Sequence, residues 1–391
     1  MGTSESPPIE AYLDWAASAP IRPAALDAMV QAAQTCYANP TGAHKQARKA
    51  RRVVDEAREI VADALGGQPA EVVFCSGGTE SDNLAVFGAQ RAHGGVPMCS
   101  AIEHHAVLHP VEALNGVVLP VDAAGVLDLD AFSAALTANA DGAGVSVVSV
   151  MLANNETGMI QPLGAVAELM ATHAPTAALH TDAVQGFVWL DVADHAQRAH
   201  LVSITGHKFG GPNGVGALLI RRGTTISPQT IGGGQEFEVR AGTQNVAGIA
   251  GFAAAVQETV KEREQTNARV AQLRDHLVDG LLELVPGAVE TGDRERKVAG
   301  SAHLIFAGIE SEALLFLLER KGVYASAASS CASGAQEPSH VLAAMGVHRD
   351  DAQGSLRLSL GRDTTAQEVD HALAVIPPAV NQLLTRTGGG R

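Results

Sequence analysis

From about residue 70 onward, short apolar runs alternate with stretches of helical periodicity. EVVFC (71–75) precedes TESDNLAVFGAQRA, VPMCSAI (96–102) precedes HHAVLHPVEAL, and GVVLPV (116–121) precedes LDLDAFSAALTA. VSVVSVML (145–152) precedes LGAVAELMATHA, and AALHTD (177–182), HLVSIT (200–205) and VGALLIR (215–221) follow. Runs that stay apolar, without alternation, are strands buried on both faces. Their regular interleaving with helices predicts an α/β fold, a large domain with a mostly parallel mixed sheet flanked by helices. GIAGFAAAVQETVKEREQTNARVAQLRDHLVDGLLELV (248–285) reads as one long helix bridging to a second unit. Beyond it SAHLIFAG, EALLFLLERKG and SLRLSLG suggest a smaller α+β C-terminal domain. The expected division is residues 1–20 as a segment packing with the small domain, 21–264 as the large domain and 265–391 as the small one.

Composition narrows the class. Hydrophobic residues make up 46% of the 391 and aromatics only 4%, so the core must be aliphatic. The net charge of -15, with no long Lys/Arg block, argues against a nucleic-acid surface. RKARR (48–52) is followed by Asp55, Glu56 and Glu59 and reads as a salt-bridged helix face. No apolar run reaches membrane-spanning length. The four cysteines, Cys36, Cys75, Cys99 and Cys331, are widely spaced, which fits a reducing cytoplasm rather than a disulfide framework.

In open α/β sheets ligands sit beyond the carboxyl ends of the strands, so chemistry is expected directly after the apolar runs. Six lysines occur, and five (Lys45, Lys49, Lys261, Lys297 and Lys321) lie in polar or helix-like surroundings where a solvated ammonium is expected. Lys208, in SITGHKFGGPNG (203–214), follows a strand and precedes a glycine-rich turn. Desolvation there lowers the pKa of an amine and suits it to Schiff-base chemistry. CSGGTESDN (75–83) is a strand, a Gly-Gly turn and a helix start, a place where backbone N–H groups and Thr79 can take a phosphate, or where Thr79 and Asp82 simply cap a helix. Asp182 ends a buried strand in HTDAVQG, where a carboxylate needs a partner such as a protonated ring nitrogen, or a helix end to cap. Gln185 could donate to a ring oxygen.

EHHAVLH (103–109) starts a helix with His104, His105 and His109. His105 and His109 lie four apart, but no acidic ligand stands at the offset a metal site needs. A histidine here can instead stack on a flat ring. NNETG (154–158) brings amides to the same sheet edge. Arg357, between leucines in SLRLSLGR, wants a carboxylate, either a structural one or that of an amino acid. Cys331, in SSCASGAQEPSHVL, has small polar neighbours and reads as an accessible thiol, a nucleophile or an incidental loop cysteine. Together these residues make a set suited to pyridoxal phosphate and an amino-acid substrate.

The order and spacing of YLDWAASAP, GGTESDNLAV, EHHAVL, NNETG, TDAVQ, GHKFGGPNGVGAL and CASGAQEPSHVL resemble the cysteine desulfurases of the NifS/IscS type, class-V enzymes of the pyridoxal-phosphate fold type I. The resemblance runs nearly end to end. It implies that Lys208 forms the Schiff base with the cofactor, that His104 stacks on the ring and aids proton transfer, and that Asp182 and Gln185 hold the ring nitrogen and oxygen. It further implies that Gly78, Thr79, Thr205 and His207 hold the phosphate, with Thr243 reaching the phosphate of a neighbouring subunit in a homodimer. Asn155 and Arg357, with Asn39, would hold the carboxylate of L-cysteine, and Cys331 would be the nucleophile that takes its sulfur. The implied activity is conversion of L-cysteine to L-alanine, with sulfur passed to an acceptor protein for iron–sulfur cluster assembly or another thiolation pathway. A selenocysteine lyase, another class-V lyase or aminotransferase, or a sulfur-transfer scaffold are the alternatives. The chain departs from the family at Trp15, Ser18 and Ala19, where His, Thr and Thr are common. It departs again at Phe237, where an arginine is frequent, and at Ala328 and Ser330 before the cysteine. These departures bear on loop motion, partner and substrate rather than on the cofactor.

Overall fold

A computed structural model describes residues 9–142, 144–327 and 339–388. Cys331, Ala328 and Ser330 lie outside the described residues. Among the described residues twelve strands are formed: β1 (Ala11–Tyr12), β2 (Val72–Cys75), β3 (Val96–Ser100), β4 (Val117–Leu119), β5 (Val145–Ser149) and β6 (Ala178–Asp182), then β7 (Leu201–Thr205), β8 (Gly216–Ile220), β9 (Ala288–Glu290), β10 (Ser301–Phe306), β11 (Val323–Tyr324) and β12 (Ser355–Ser359). β2 to β8 make a seven-stranded sheet in the order β2-β8-β7-β6-β5-β3-β4. Only β8 runs against its neighbours, β2 and β7; the other pairs are parallel. β5, β6 and β7 are buried along their whole length, their polar Ser, His, Thr and Asp residues included.

The helix Lys45–Leu65 ends at Gly66, whose φ of 65° is left-handed and whose added Cβ would lie 2.9 Å from that of Ala193. Within that helix Arg48 and Arg51 do not form the expected salt-bridged face. They donate to the backbone carbonyls of Ala43 and Pro40, because the chain entering the helix folds back within reach.

The long helix runs unbroken from Val246 to Leu284, 39 residues. The proposed boundary between 264 and 265 therefore falls inside an element shared by two hydrophobic cores. One core lies around the large sheet and includes Phe74, Phe132, Phe187, Phe209 and Phe252. The other joins the small sheet, ordered β12-β10-β9, to Val270, Leu277 and Leu281 of the long helix and to Ala11 and Leu13. The N-terminal chain is held there by β1, parallel to β11, and by a bridge from Asp14 to Ser359.

Lys297 is not solvated as its sequence context suggests. Its side chain is fully buried, with Nζ 2.9 Å from Glu290 Oε1 and 2.7 Å from the Thr291 carbonyl. The acidic partner stands seven residues upstream, hidden from any local reading. Among the described residues no helix is long and apolar enough to cross a membrane.

Candidate active site

The carboxyl ends of the central strands open on a cavity of about 370 Å³. It gathers Gly78, Thr79, His104, Asn155, Asp182, Gln185, Thr205, His207, Lys208 and Arg357 from widely separated parts of the chain. Asn39 and Thr243 are not among its lining. Both are exposed, and the side-chain Oδ1 of Asn39 accepts from the N–H and the hydroxyl of Thr41.

One end of the cavity is a cradle of backbone N–H groups. β2 runs through Ser76 and Gly77 into the helix Gly78–His93, whose first turn has no side-chain cap. This turn sits tight against β8: a Cβ on Gly216 would come within 2.9 Å of Gly77 Cα. Thr205 closes β7 beside it, with its hydroxyl 3.2 Å from His207 Nδ1. Burial and the nearby Lys208 charge push the His207 pKa down to about 4, so its ring is neutral.

Lys208 follows on a short 3-10 turn, anchored by the buried ring of Phe209, which packs 4.8 Å from Phe187 and 5.5 Å from Phe252. Its Nζ donates to the carbonyls of Ala16 (2.7 Å) and Ala17 (3.0 Å). Burial, reinforced by Arg357, lowers its pKa to about 8, with Asp182 and Asp14 pulling the other way. Gln185 Nε2 donates to the same Ala16 carbonyl at 2.7 Å.

Asp182 ends β6 with Oδ1 held by the Val184 N–H at 2.8 Å. Burial raises its pKa to about 6, against the pull of that hydrogen bond and of Lys208. Two residues earlier on the same strand face lies His180, hydrogen-bonded to Ser149 (2.7 Å) and Ser203 (2.9 Å) and held neutral by burial. Its Nε2 is 3.6 Å from Asp82 Oδ1, a buried oxygen with no hydrogen-bond partner among the described residues. Burial and the neighbouring Asp182 push the Asp82 pKa well up. Glu103, raised to about 8 mainly by burial, accepts from Ser100 (2.6 Å) and the Met151 N–H (2.8 Å). His104 faces the cavity and accepts from the Ala106 N–H at Nδ1 (3.1 Å), which leaves Nε2 carrying the proton of a neutral ring. Desolvation and Lys208 set its pKa at about 4. His105 and His109 stack at 4.6 Å, and no group of three metal-ligating side chains is present among the described residues.

The facing wall comes from the small unit. Arg357, in β12, places Nη2 2.7 Å from Asp14 Oδ1 and Nη1 3.2 Å from the Asn155 carbonyl. Glu156 also lines this wall. Burial raises its pKa to about 7, and it accepts a hydrogen bond from Ser339. Asp14, the Ala16 carbonyl, Glu103, Glu156 and His180 are the groups that a motif reading passes over, and Asp82 it reads only as a helix cap. For Glu103 and His180 the signal was a polar residue inside or directly after an apolar run.

The chain matches the Aminotransferase class-V family over residues 11–372. The chain belongs to the class-V aminotransferase family. It is 44% identical over 384 residues to an IscS-like cysteine desulfurase of Mycobacterium tuberculosis (strain ATCC 25618 / H37Rv), covering 95% of this chain and 96% of that protein. Among solved structures, a NifS-like protein superposes with a TM-score of 0.87 at 34% identity, covering 96% of this chain and all (100%) of the other. SspA in complex with cysteine superposes at 0.76 with 28% identity, covering 91% and 100%. The fold is thus the pyridoxal-phosphate fold type I, as the sequence resemblance implied.

Class-V aminotransferases of this kind depend on pyridoxal 5'-phosphate. The donor set here fits that group. The uncapped helix start offers N–H groups to a phosphate. The buried carboxylate of Asp182 suits a ring N–H, the neutral His104 ring can cover a flat face, and the Lys208 amine is desolvated.

Proposed function

We propose that the protein is a cysteine desulfurase, which removes the sulfur of L-cysteine, leaves L-alanine and carries the sulfur as a persulfide on Cys331. One observation carries the reading: the Lys208 amine and the Arg357 guanidinium line a single cavity, one suited to the amino group and the other to the carboxylate of an amino acid. Relatives named as cysteine desulfurases over nearly the full chain support the same substrate.

When bound, pyridoxal phosphate supplies the electron sink that makes the substrate Cα proton acidic. Gly78, Thr79, Thr205 and His207 would hold its phosphate, Asp182 would keep a proton on the ring nitrogen, Gln185 would donate its amide to the ring oxygen, and His104 would cover one face. Lys208 moves the Cα proton. At pH 7 a pKa of about 8 leaves about one amine in ten uncharged, against about one in three thousand for an ordinary lysine. Asn155 and Arg357 hold the substrate carboxylate. The Cys331 thiolate then attacks the substrate sulfur. An S–S bond forms, the C–S bond breaks, and its electron pair stays with the carbon that becomes the alanine methyl group on protonation. No outside oxidant is needed.

The proposal extends to a homodimer in the cytoplasm, consistent with the exposure of Thr243, which would serve the neighbouring copy, and with the wide spacing of the cysteines. The sulfur passes to an acceptor protein, for iron–sulfur assembly or another thiolation pathway. The test is release of alanine and sulfide from L-cysteine with a reductant, for wild type and Cys331→Ala. Loss of both products in the variant, with the yellow cofactor retained, is expected. Pyruvate from wild type, or an equally active variant, would favour a lyase or aminotransferase instead.

A further inference from the structure

We infer that Asp14 is the positioning residue of the carboxylate clamp, fixing the plane of the Arg357 guanidinium that meets the incoming substrate. The inference rests on the proposed role of Arg357. Arg357 sits mid-strand between Leu356 and Leu358, whose side chains point to the other face and are fully buried. A guanidinium is planar, with five N–H groups in a fixed fork. Two contacts at Nη1 and Nη2 therefore define its plane. These are the Asn155 carbonyl at 3.2 Å and Asp14 Oδ1 at 2.7 Å. Nε is buried and has no hydrogen-bond partner among the described residues.

Asp14 is itself held in place. Its backbone bridges Ser359, and its carbonyl accepts from the Tyr12 hydroxyl at 3.1 Å. The Ala16 N–H donates to Ser359 Oγ at 2.9 Å. Asp14 does not line the cavity, so it acts through Arg357 and touches no substrate. Without it, the guanidinium is free to turn toward Glu156, the acid that shares its wall.

The test uses the holoenzyme and two probes, L-alanine and ethylamine, which share an amine and differ in the carboxylate. Binding is read from the change in the visible absorbance of the cofactor. Asp14→Ala is expected to weaken L-alanine about tenfold and to leave ethylamine within about twofold. Asp14→Asn keeps an acceptor oxygen for Nη2 and is expected to stay within about threefold of wild type for both probes. Equal or tighter L-alanine binding by Asp14→Ala would overturn the inference, because Asp14 would then only compete for the arginine. Equal weakening of ethylamine would overturn it as well. If Asp14→Ala does not fold, Asp14→Asn decides, since a gain in L-alanine affinity there marks a competitor and wild-type affinity marks a positioning acceptor. Neither probe requires desulfuration, so a wild type that binds L-alanine but releases no sulfur would sink the proposed function and leave this inference standing.

Discussion

A fully buried lysine and a half-buried one divide the molecule's chemistry between them. Lys297, in the small unit, has a carboxylate and a carbonyl on its Nζ. Lys208, at the end of β7, has two backbone carbonyls. Both pKa values are lowered by burial, yet only Lys297 gains a direct ion pair in return. A buried ammonium with an ionic partner is fixed and structural, because removing either partner strands a charge. One held by neutral dipoles keeps its charge weakly and gives it up near neutral pH. The kind of partner, rather than burial itself, separates the lysine we propose as reactive from the structural one.

Substitution exposes that difference most strongly. Lys208→Ala is expected to cut alanine formation by about 10³-fold or more and to leave the melting temperature nearly unchanged. Lys297→Ala should do the reverse, keeping activity within a few-fold while losing about 3 kcal/mol of stability, read by denaturant unfolding. Comparable activity losses in both would erase the distinction.

A pH series sharpens it. Only the uncharged amine reacts with pyridoxal phosphate, so the loading rate of apoenzyme should climb as pH rises through about 8, the Lys208 value. The rate should level off above that value, whereas a rate still climbing about tenfold per pH unit beyond pH 9 would mean an ordinary, solvated ammonium.

A smaller effect concerns the acids behind the site. Glu103 has a folded pKa of about 8, raised from 4.5, so the folded state binds its proton more tightly than the unfolded chain does. Wild-type stability should therefore fall as pH rises from about 4.5 to 8, by about 2–5 kcal/mol in all. Glu103→Gln cannot ionise, and its stability relative to wild type should grow across that window. A constant gap would show that Glu103 is not proton-linked to folding.

The same two lysines show how far the sequence could be read. The position of Lys208 was legible because a mostly apolar run placed it just past a strand end, and strand ends are where such sheets work. Asp182 and His104 were singled out by the same logic and Arg357 as a charge between leucines in mid-strand, and the resemblance then implied their roles. Lys297 was misread because DRERKVAG looks solvated, while the fold that buries it is not local. Asp14 was missed for a stronger form of the same reason: its partner lies 343 residues away. The boundary at 265 falls within the helix Val246–Leu284, whose residues enter both hydrophobic cores, so no break in the sequence pattern marks it.

The most direct test of the whole account is a single turnover without reductant. Holoenzyme mixed with excess L-cysteine should form one alanine per chain and then stop, and peptide mass analysis should find one added sulfur atom on the fragment bearing Cys331. Continued turnover to pyruvate, or sulfur on another cysteine, would contradict the account.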